Sequence, residues 1–489
     1  MSDLARNGST SRSPRVAIIG AGMSGLCMGI KLRQAGMYDF VIYEKADRVG
    51  GTWRENTYPG LSCDVPSRSY AFSFEPNPDW STMFPGGPEI FEYFDRVADK
   101  YGLRRHIRFG ETVHGGTWED GRWTVRTTSG EERFDFFVSG AGILHRWRMP
   151  DIPGLDTFAG PKWHSAAWDH SVPLEDKRVG LVGTGSTGVQ ITTALSGNVG
   201  HLDVFQRTPQ WVLPLPNHRS SRATRELLRR VPPINRLAHR AWLAYLEQSF
   251  GVGVIRPGWR RSLLQGACRQ HLRLVGDPEL RRRLTPDYQP MCKRIVMNYG
   301  FYQAIQHPQT TLVDTPIERV EAQGIRTTDG VLHELDVLAL ATGFDGTAYG
   351  RPLELVGEGG LTLDEAWRDG PRGYLTVALP AFPNYFALVG PHSPFGNHSV
   401  MAISEAQTDF VMGWLERFRT GQIDAVAPTA QATDRFNEAM DRAMPDTVWV
   451  TGCKSWYMND RGQPVLWPWT PARHREMLAT APMADFVVD

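Results

Sequence analysis

The sequence predicts an α/β fold made of two parallel-sheet units and a helical insertion. Three observations carry that expectation. The apolar segments Arg15–Ile19 and Arg178–Val182 each run straight into a turn of the form G-x-G-x-x-G and then into a helical stretch. Other segments, such as Phe136-Phe137-Val138 and Val337-Leu338-Ala339-Leu340, are apolar without alternation, which suits strands covered on both faces. Residues 214–291 then change to helical periodicity and a crowd of arginines.

The bulk properties agree. At 489 residues the chain exceeds one hydrophobic core, given roughly 100–200 residues per domain. A formal net charge of zero argues against a nucleic-acid surface. Cys27, Cys63, Cys268, Cys292 and Cys453 are odd in number and hold no C-x-x-C pair. That argues against a disulfide framework and a zinc site, and predicts a reduced, cytoplasmic chain with no metal. Residues 1–14 are polar and are expected to form a disordered tail. The longest apolar run, Val16–Ile30, is broken by four glycines and falls short of the ~20 residues of a membrane span.

In the first unit the strand is followed by Gly20, Gly22 and Gly25, then by a helix to Ala35 and a second strand, Phe40–Tyr43, that ends in Glu44. Gly20 makes the tight turn, Gly22 lets a pyrophosphate approach the backbone, and Gly25 lets helix and strand pack closely. The helix N-terminus offers free N–H groups to the phosphates. Glu44, 19 residues after Gly25, is placed to accept from both ribose hydroxyls and would repel a 2′-phosphate, so this Rossmann-like site suits FAD or NAD. Gly50-Gly51-Thr52-Trp53 allows a second close approach of backbone to ligand. Trp118–Thr128 reads as a hairpin turning at Asp120-Gly121. Pro150, Pro153 and Gly154 mark a linker.

The second unit has Gly183, Gly185, Ser186, Thr187 and Gly188 at its turn, Gln190 on its helix, and a strand, His201–Phe205, ending in Gln206-Arg207-Thr208. Arg207 stands near where the first unit has its acid. A guanidinium there favours a 2′-phosphate by ~1.5–3 kcal/mol, which selects NADP over NAD. In the insertion, Ile234, Leu237, Ala238, Ala241, Trp242, Tyr245 and Leu246 fall on one helical face and arginines crowd the others. The expectation is a helical insert with a solvated basic surface, a peripheral membrane contact being the lesser reading.

Between the two units lies Phe158-Ala-Gly160-Pro-Lys-Trp-His164-Ser-Ala-Ala-Trp168-Asp169. It matches F-x-G-x-x-x-H-x-x-x-W-[P or D] at Phe158, Gly160, His164, Trp168 and Asp169, and on these residues the chain resembles the Baeyer–Villiger monooxygenases. The resemblance runs from about residue 15 to about residue 470. It implies two Rossmann-like dinucleotide-binding domains, one for FAD (15–150 and 341–489) and one for NADP (151–213 and 292–340), with the insertion at 214–291. It implies that Gly51, Thr52 and Trp53 lie along FAD and Asp64 near the flavin ring. Arg294 matches the family's active-site arginine, with Asp64 orienting it. Lys293 matches a 2′-phosphate contact beside Arg207, and Trp456 and Thr208 fall on the cofactor side. His164 and Trp168 are expected on the linker in a conformational role. The implied reaction uses NADPH and O2 to insert oxygen next to a ketone carbonyl. One departure is the run Asn298-Tyr299-Gly300-Phe301-Tyr302, where several relatives carry an acid followed by two tyrosines. Two other readings stay open: a flavin monooxygenase oxidising sulfur or nitrogen, and a nucleotide-binding protein that senses NADPH without turnover.

Overall fold

The computed structural model describes residues 12–394, 396–453, 455–456, 458–459 and 461–489. Its centre is two five-stranded parallel sheets. The first is ordered Tyr385–Ala387, Phe136–Ser139, Val16–Ile19, Phe40–Glu44, Ile107–Phe109. The second is ordered Thr310–Val313, His201–Phe205, Arg178–Val182, Val337–Leu340, Lys162–His164. In each sheet the strand that feeds the glycine turn is the middle one of five. Its neighbours run off on either side, leaving a crevice beyond its C-terminal end, where open α/β sheets take ligands.

The chain crosses between units more than once. The edge strand Tyr385–Ala387 brings the C-terminal part back to the first sheet. The long helix Val400–Arg419 then packs on the first glycine-turn helix, Met23–Gln34. The hairpin Val113–Glu119 and Arg122–Thr127 forms as its turn residues imply. The core follows the two sheets. Val16, Ile18, Ile42, Phe136 and Val138 anchor one cluster, and Val179, Leu181, Val204, Val337 and Ala339 anchor the other.

Three expectations need correcting. Arg12 donates its backbone N–H to Arg419 O at 3.0 Å and pairs with Asp424, and Pro14 is buried, so residues 12–14 are not a loose tail; residues 1–11 of that expected tail lie outside the described residues. Cys292 and Cys453 form a disulfide with Cα atoms 6.0 Å apart, although no sequence pairing announces it. A separation of 161 residues leaves no local spacing to read. His164 is in a strand of the second sheet rather than on a free linker.

The insertion is helical, with Arg222–Arg230, Pro232–Leu246, Trp259–Leu272 and Pro278–Arg283 as its main helices. Pro232 opens its helix, because a proline in the first turn lacks only an N–H that has no partner there. The apolar stripe of that helix is not the packed face. Asn235 and His239 are buried, while Leu237 is 66% and Tyr245 61% exposed. Asn235 donates to Pro76 O (2.9 Å), and His239 Nδ1 contacts Arg68 O (2.7 Å). The inward face is therefore held by polar contacts to the loop 66–77. No helix among the described residues is long and apolar enough to cross a membrane.

Candidate active site at the crevice between the glycine turns

Both turns are built alike. A Cβ at Gly25 would lie 1.8 Å from Gly20 O, and one at Gly188 would lie 2.0 Å from Gly183 O. In each turn, helix and turn touch backbone to backbone. The helices Met23–Gln34 and Ser186–Leu195 start at Gly22 and Gly185 with no side-chain cap and no acid in the first turn. Their N–H groups and the positive end of the dipole stay open to an anion. Ser186 and Thr187 stand in the second of these first turns.

At the first turn, Gly51 faces Gly22, and a Cβ on Gly51 would come within 3.1 Å of Gly22 Cα. Thr52 and Trp53 follow, with Trp53 Nε1 donating to Tyr70 Oη at 2.9 Å. Glu44 is only 4% exposed. Its carboxylate accepts from Ala21 N–H (2.9 Å) and Ala46 N–H (3.0 Å), and Arg54 lies 3.1 Å away. The acid is thus locked to the turn it serves, an arrangement that spacing alone did not reveal.

At the second turn, Arg207 is exposed and forms no ion pair among the described residues. Thr208 O accepts from Thr184 Oγ1 at 3.1 Å. Lys293, half-buried over the Tyr288 ring (4.7 Å), has its pKa lowered, first by burial and then by the positive charge of Arg207. Two cations that repel each other suit a dianionic phosphate. Lys293 and Arg294 lie in a turn just before the short strand Val296–Met297, not inside a strand.

The pair Arg294–Asp64 joins the loop after Gly51–Trp53 to the segment before Val296–Met297. Nε and Nη2 of Arg294 both donate to Asp64 Oδ2, at 3.0 and 2.5 Å. The pair borders a pocket whose polar side includes Lys293, Asn397 and His398. Its apolar side includes Leu246, Phe250, Met297 and Trp449. Asn397 and His398 escaped the sequence reading. They precede the helix Val400–Arg419, and among the described residues neither ring nitrogen of His398 nor Asn397 Oδ1 has a hydrogen-bond partner. Burial pushes the His398 pKa down to about 3, so it is neutral.

Gln190, expected at the cofactor, also ties the units together. Its Oε1 accepts from Tyr58 Oη (2.9 Å), and its Nε2 donates to Ser62 O (3.0 Å). Gly60 makes this contact close, since a Cβ there would meet Gln190 O at 2.5 Å. Trp456 packs over Gly346, where a Cβ would meet its ring at 2.5 Å.

The segment Phe158–Asp169 packs as one piece. Gly160 leaves no room for a Cβ, which would lie 2.5 Å from Asp336 O and 2.9 Å from the buried Phe158 ring. Trp168 meets Trp163 edge to face at 5.4 Å. Asp169 Oδ1 accepts from both the N–H and the hydroxyl of Ser171. His164 stacks on Trp147 at 5.0 Å, its Nδ1 accepts from Ala166 N–H, and burial lowers its pKa to about 4. Asn298, at the departure noted above, caps a turn by accepting from the N–H groups of Gly300 and Phe301. No cluster of three or more potential metal ligands occurs among the described residues.

Comparison with known proteins agrees with this geometry. Residues 13–224 match the family described as flavin-binding monooxygenase-like. An uncharacterised monooxygenase of Mycobacterium tuberculosis is 52% identical over 96% of this chain and 95% of its own length. A Baeyer–Villiger monooxygenase of Streptomyces coelicolor is 37% identical over 97% of this chain and 92% of its own. Among solved structures, OTEMO in complex with FAD and NADP superposes with a TM-score of 0.87 at 27% identity, covering 98% of this chain and 100% of that one. With two sheet units, two uncapped glycine turns and relatives matched over nearly their whole length, the chain belongs to the Baeyer–Villiger monooxygenase family.

Proposed function

We propose that this chain uses NADPH, FAD and O2 to insert one oxygen atom beside a ketone carbonyl, giving an ester or lactone. The observation that carries the proposal is the Arg294–Asp64 pair at the border of a largely apolar pocket, in a chain with one acid-ended and one arginine-ended glycine unit. FAD fits the first unit: the open helix N-terminus takes its pyrophosphate and Glu44 its ribose. Gly20, Gly22, Gly25, Gly51, Thr52 and Trp53 line it. NADPH fits the second, with Gly183, Gly185, Ser186, Thr187 and Gly188 at the pyrophosphate and Arg207 and Lys293 at the 2′-phosphate. Trp456 and Thr208 are assigned to the same cofactor. A bound flavin supplies the hydride acceptance and oxygen activation that side chains lack.

The protein's own contribution is charge and position. Arg294 carries a fixed positive charge beside apolar walls, where it stabilises negative charge developing on the reacting oxygens. Such preorganised groups contribute several kcal/mol. Asp64 aims Arg294 by accepting from two of its donors, Nε and Nη2. The apolar wall takes the carbon skeleton of a ketone and keeps water out. His164 and Trp168 hold the second sheet's edge and take no proton-transfer step.

Arg294→Ala tests the proposal. Reduction of the flavin by NADPH should stay within about threefold of wild type. Ester formation from a ketone, followed with 18O2 and mass spectrometry, should fall at least about a hundredfold, the effect of losing one such donor. Unchanged ester yield, or equal loss of both steps, would refute the assigned role. A ketone and a sulfide offered together distinguish carbonyl insertion from heteroatom oxidation.

A further inference from the structure

The insertion is electrically unlike the rest of the chain. Residues 214–291 contain fifteen arginines and no lysine against five carboxylates, a formal +10. The whole chain is neutral, so the remaining residues carry −10.

The helix Pro232–Leu246 is also turned the wrong way round for a soluble surface. Ile234, Leu237, Ala241 and Tyr245 recur at helical spacing on one stripe, and all four are exposed. At 100° per residue, Arg240 lies about 60° and Arg236 about 100° from Leu237 on one side of the stripe, and the buried Asn235 and His239 lie about 80° and 120° from Tyr245 on the other. Arg236 and Arg240 are exposed and form no ion pair among the described residues. The preceding helix adds Leu227, 50% exposed, and the helix Trp259–Leu272 adds Trp259 and Leu263, 69% and 66% exposed and one turn apart.

We infer that this face of the insertion docks on the surface of an anionic lipid bilayer. An apolar stripe flanked by arginines, with Tyr and Trp among its exposed residues, is the composition of a helix that lies in the headgroup region. A second copy of the chain is a poor occupant, because it would set Arg236 and Arg240, unpaired among the described residues, against like charges. A nucleic acid would satisfy the arginines but leave the stripe uncovered. The same helix run continues to Leu246 and Phe250 on the pocket wall. Resting on the function proposed above, a ketone dissolved in lipid would reach the pocket along one continuous element.

The test uses the full-length, FAD-loaded protein and co-sedimentation with vesicles. Vesicles of mixed phosphatidylglycerol and phosphatidylcholine should bind it, whereas phosphatidylcholine alone should bind it at least about tenfold more weakly, and added salt should release it. Arg236→Ala/Arg240→Ala should weaken binding about thirtyfold, at about fivefold for each arginine near an anionic surface. Leu237→Glu should abolish binding while flavin content and unfolding midpoint stay at wild-type values. Because neither readout involves turnover, failure here leaves the oxygenation proposal standing. The inference is overturned if neither vesicle binds, if both bind equally, or if the protein is instead a dimer that Leu237→Glu splits without any lipid binding.

Discussion

Arg207→Ala removes one of the two cations assigned to the 2′-phosphate of NADPH. A charge-assisted hydrogen bond contributes about 1.5–3 kcal/mol, so NADP+ should bind about ten- to a hundredfold more weakly. The lower end is the better expectation, because Arg207 is exposed and salt screens it. NADH lacks the 2′-phosphate, so its KM should move less than about twofold. A second readout comes from Lys293, whose pKa lies below the ordinary 10.5 through burial first and the Arg207 charge second. As pH rises through that pKa, Lys293 loses its proton and NADP+ binding weakens. Without Arg207 the second cause disappears, so the alkaline limb of the binding profile should move to higher pH. Equilibrium titration of NADP+ at several pH values, with NADH kinetics alongside, measures both effects. Equal losses for NADPH and NADH, or an alkaline limb that stays put or moves down, would refute the assignment.

Other expectations follow from the described geometry. Alkylation of the denatured chain without reductant should label three thiols, Cys27, Cys63 and Cys268, and five after reduction; five labels at the outset would refute the crosslink. Cys453→Ser should destabilise the fold by up to about 5 kcal/mol, the chain-entropy value for closing a loop of 161 residues, read as a lower unfolding midpoint. Burial lowers the pKa of His164 and His392 to about 4 and of His398 and His474 to about 3, from 6.5. The unfolded chain then binds more protons in that interval, so stability is full above pH 6.5 and falls as pH drops toward 4. A denaturation midpoint that is flat over this window would count against the neutral histidines. Gly60→Ala puts a Cβ 2.5 Å from Gln190 O at a φ of +80° and should cost about 1–3 kcal/mol of stability; wild-type stability in a melt would show the contact to be loose.

What could be read from the sequence was what lies within one turn or one strand. The glycine turns, Glu44 and Arg207 are separated by fixed strand and helix lengths, so spacing alone located them. Arg294 and Asp64 stand 230 residues apart, and only resemblance to a family connected them before the geometry did. The Cys292–Cys453 crosslink, the Gln190 tie and the pocket-lining His398 depend on how distant loops meet, which no local pattern records. The inward side of the insertion's helix was illegible for a different reason. Periodicity finds an apolar stripe, but the side that faces the core was decided by the acceptors Pro76 O and Arg68 O, which drew Asn235 and His239 inward.

The Tyr58–Gln190–Ser62 contact has a consequence for timing. Hydride transfer needs its two carbons within roughly 3–3.5 Å. The two glycine-turn units meet where Gly60 touches Gln190 with no room for a methyl group. That absent methyl works as a gauge. Adding it inserts a shim between the units, and the reducing step should slow even though no residue at either cofactor has changed.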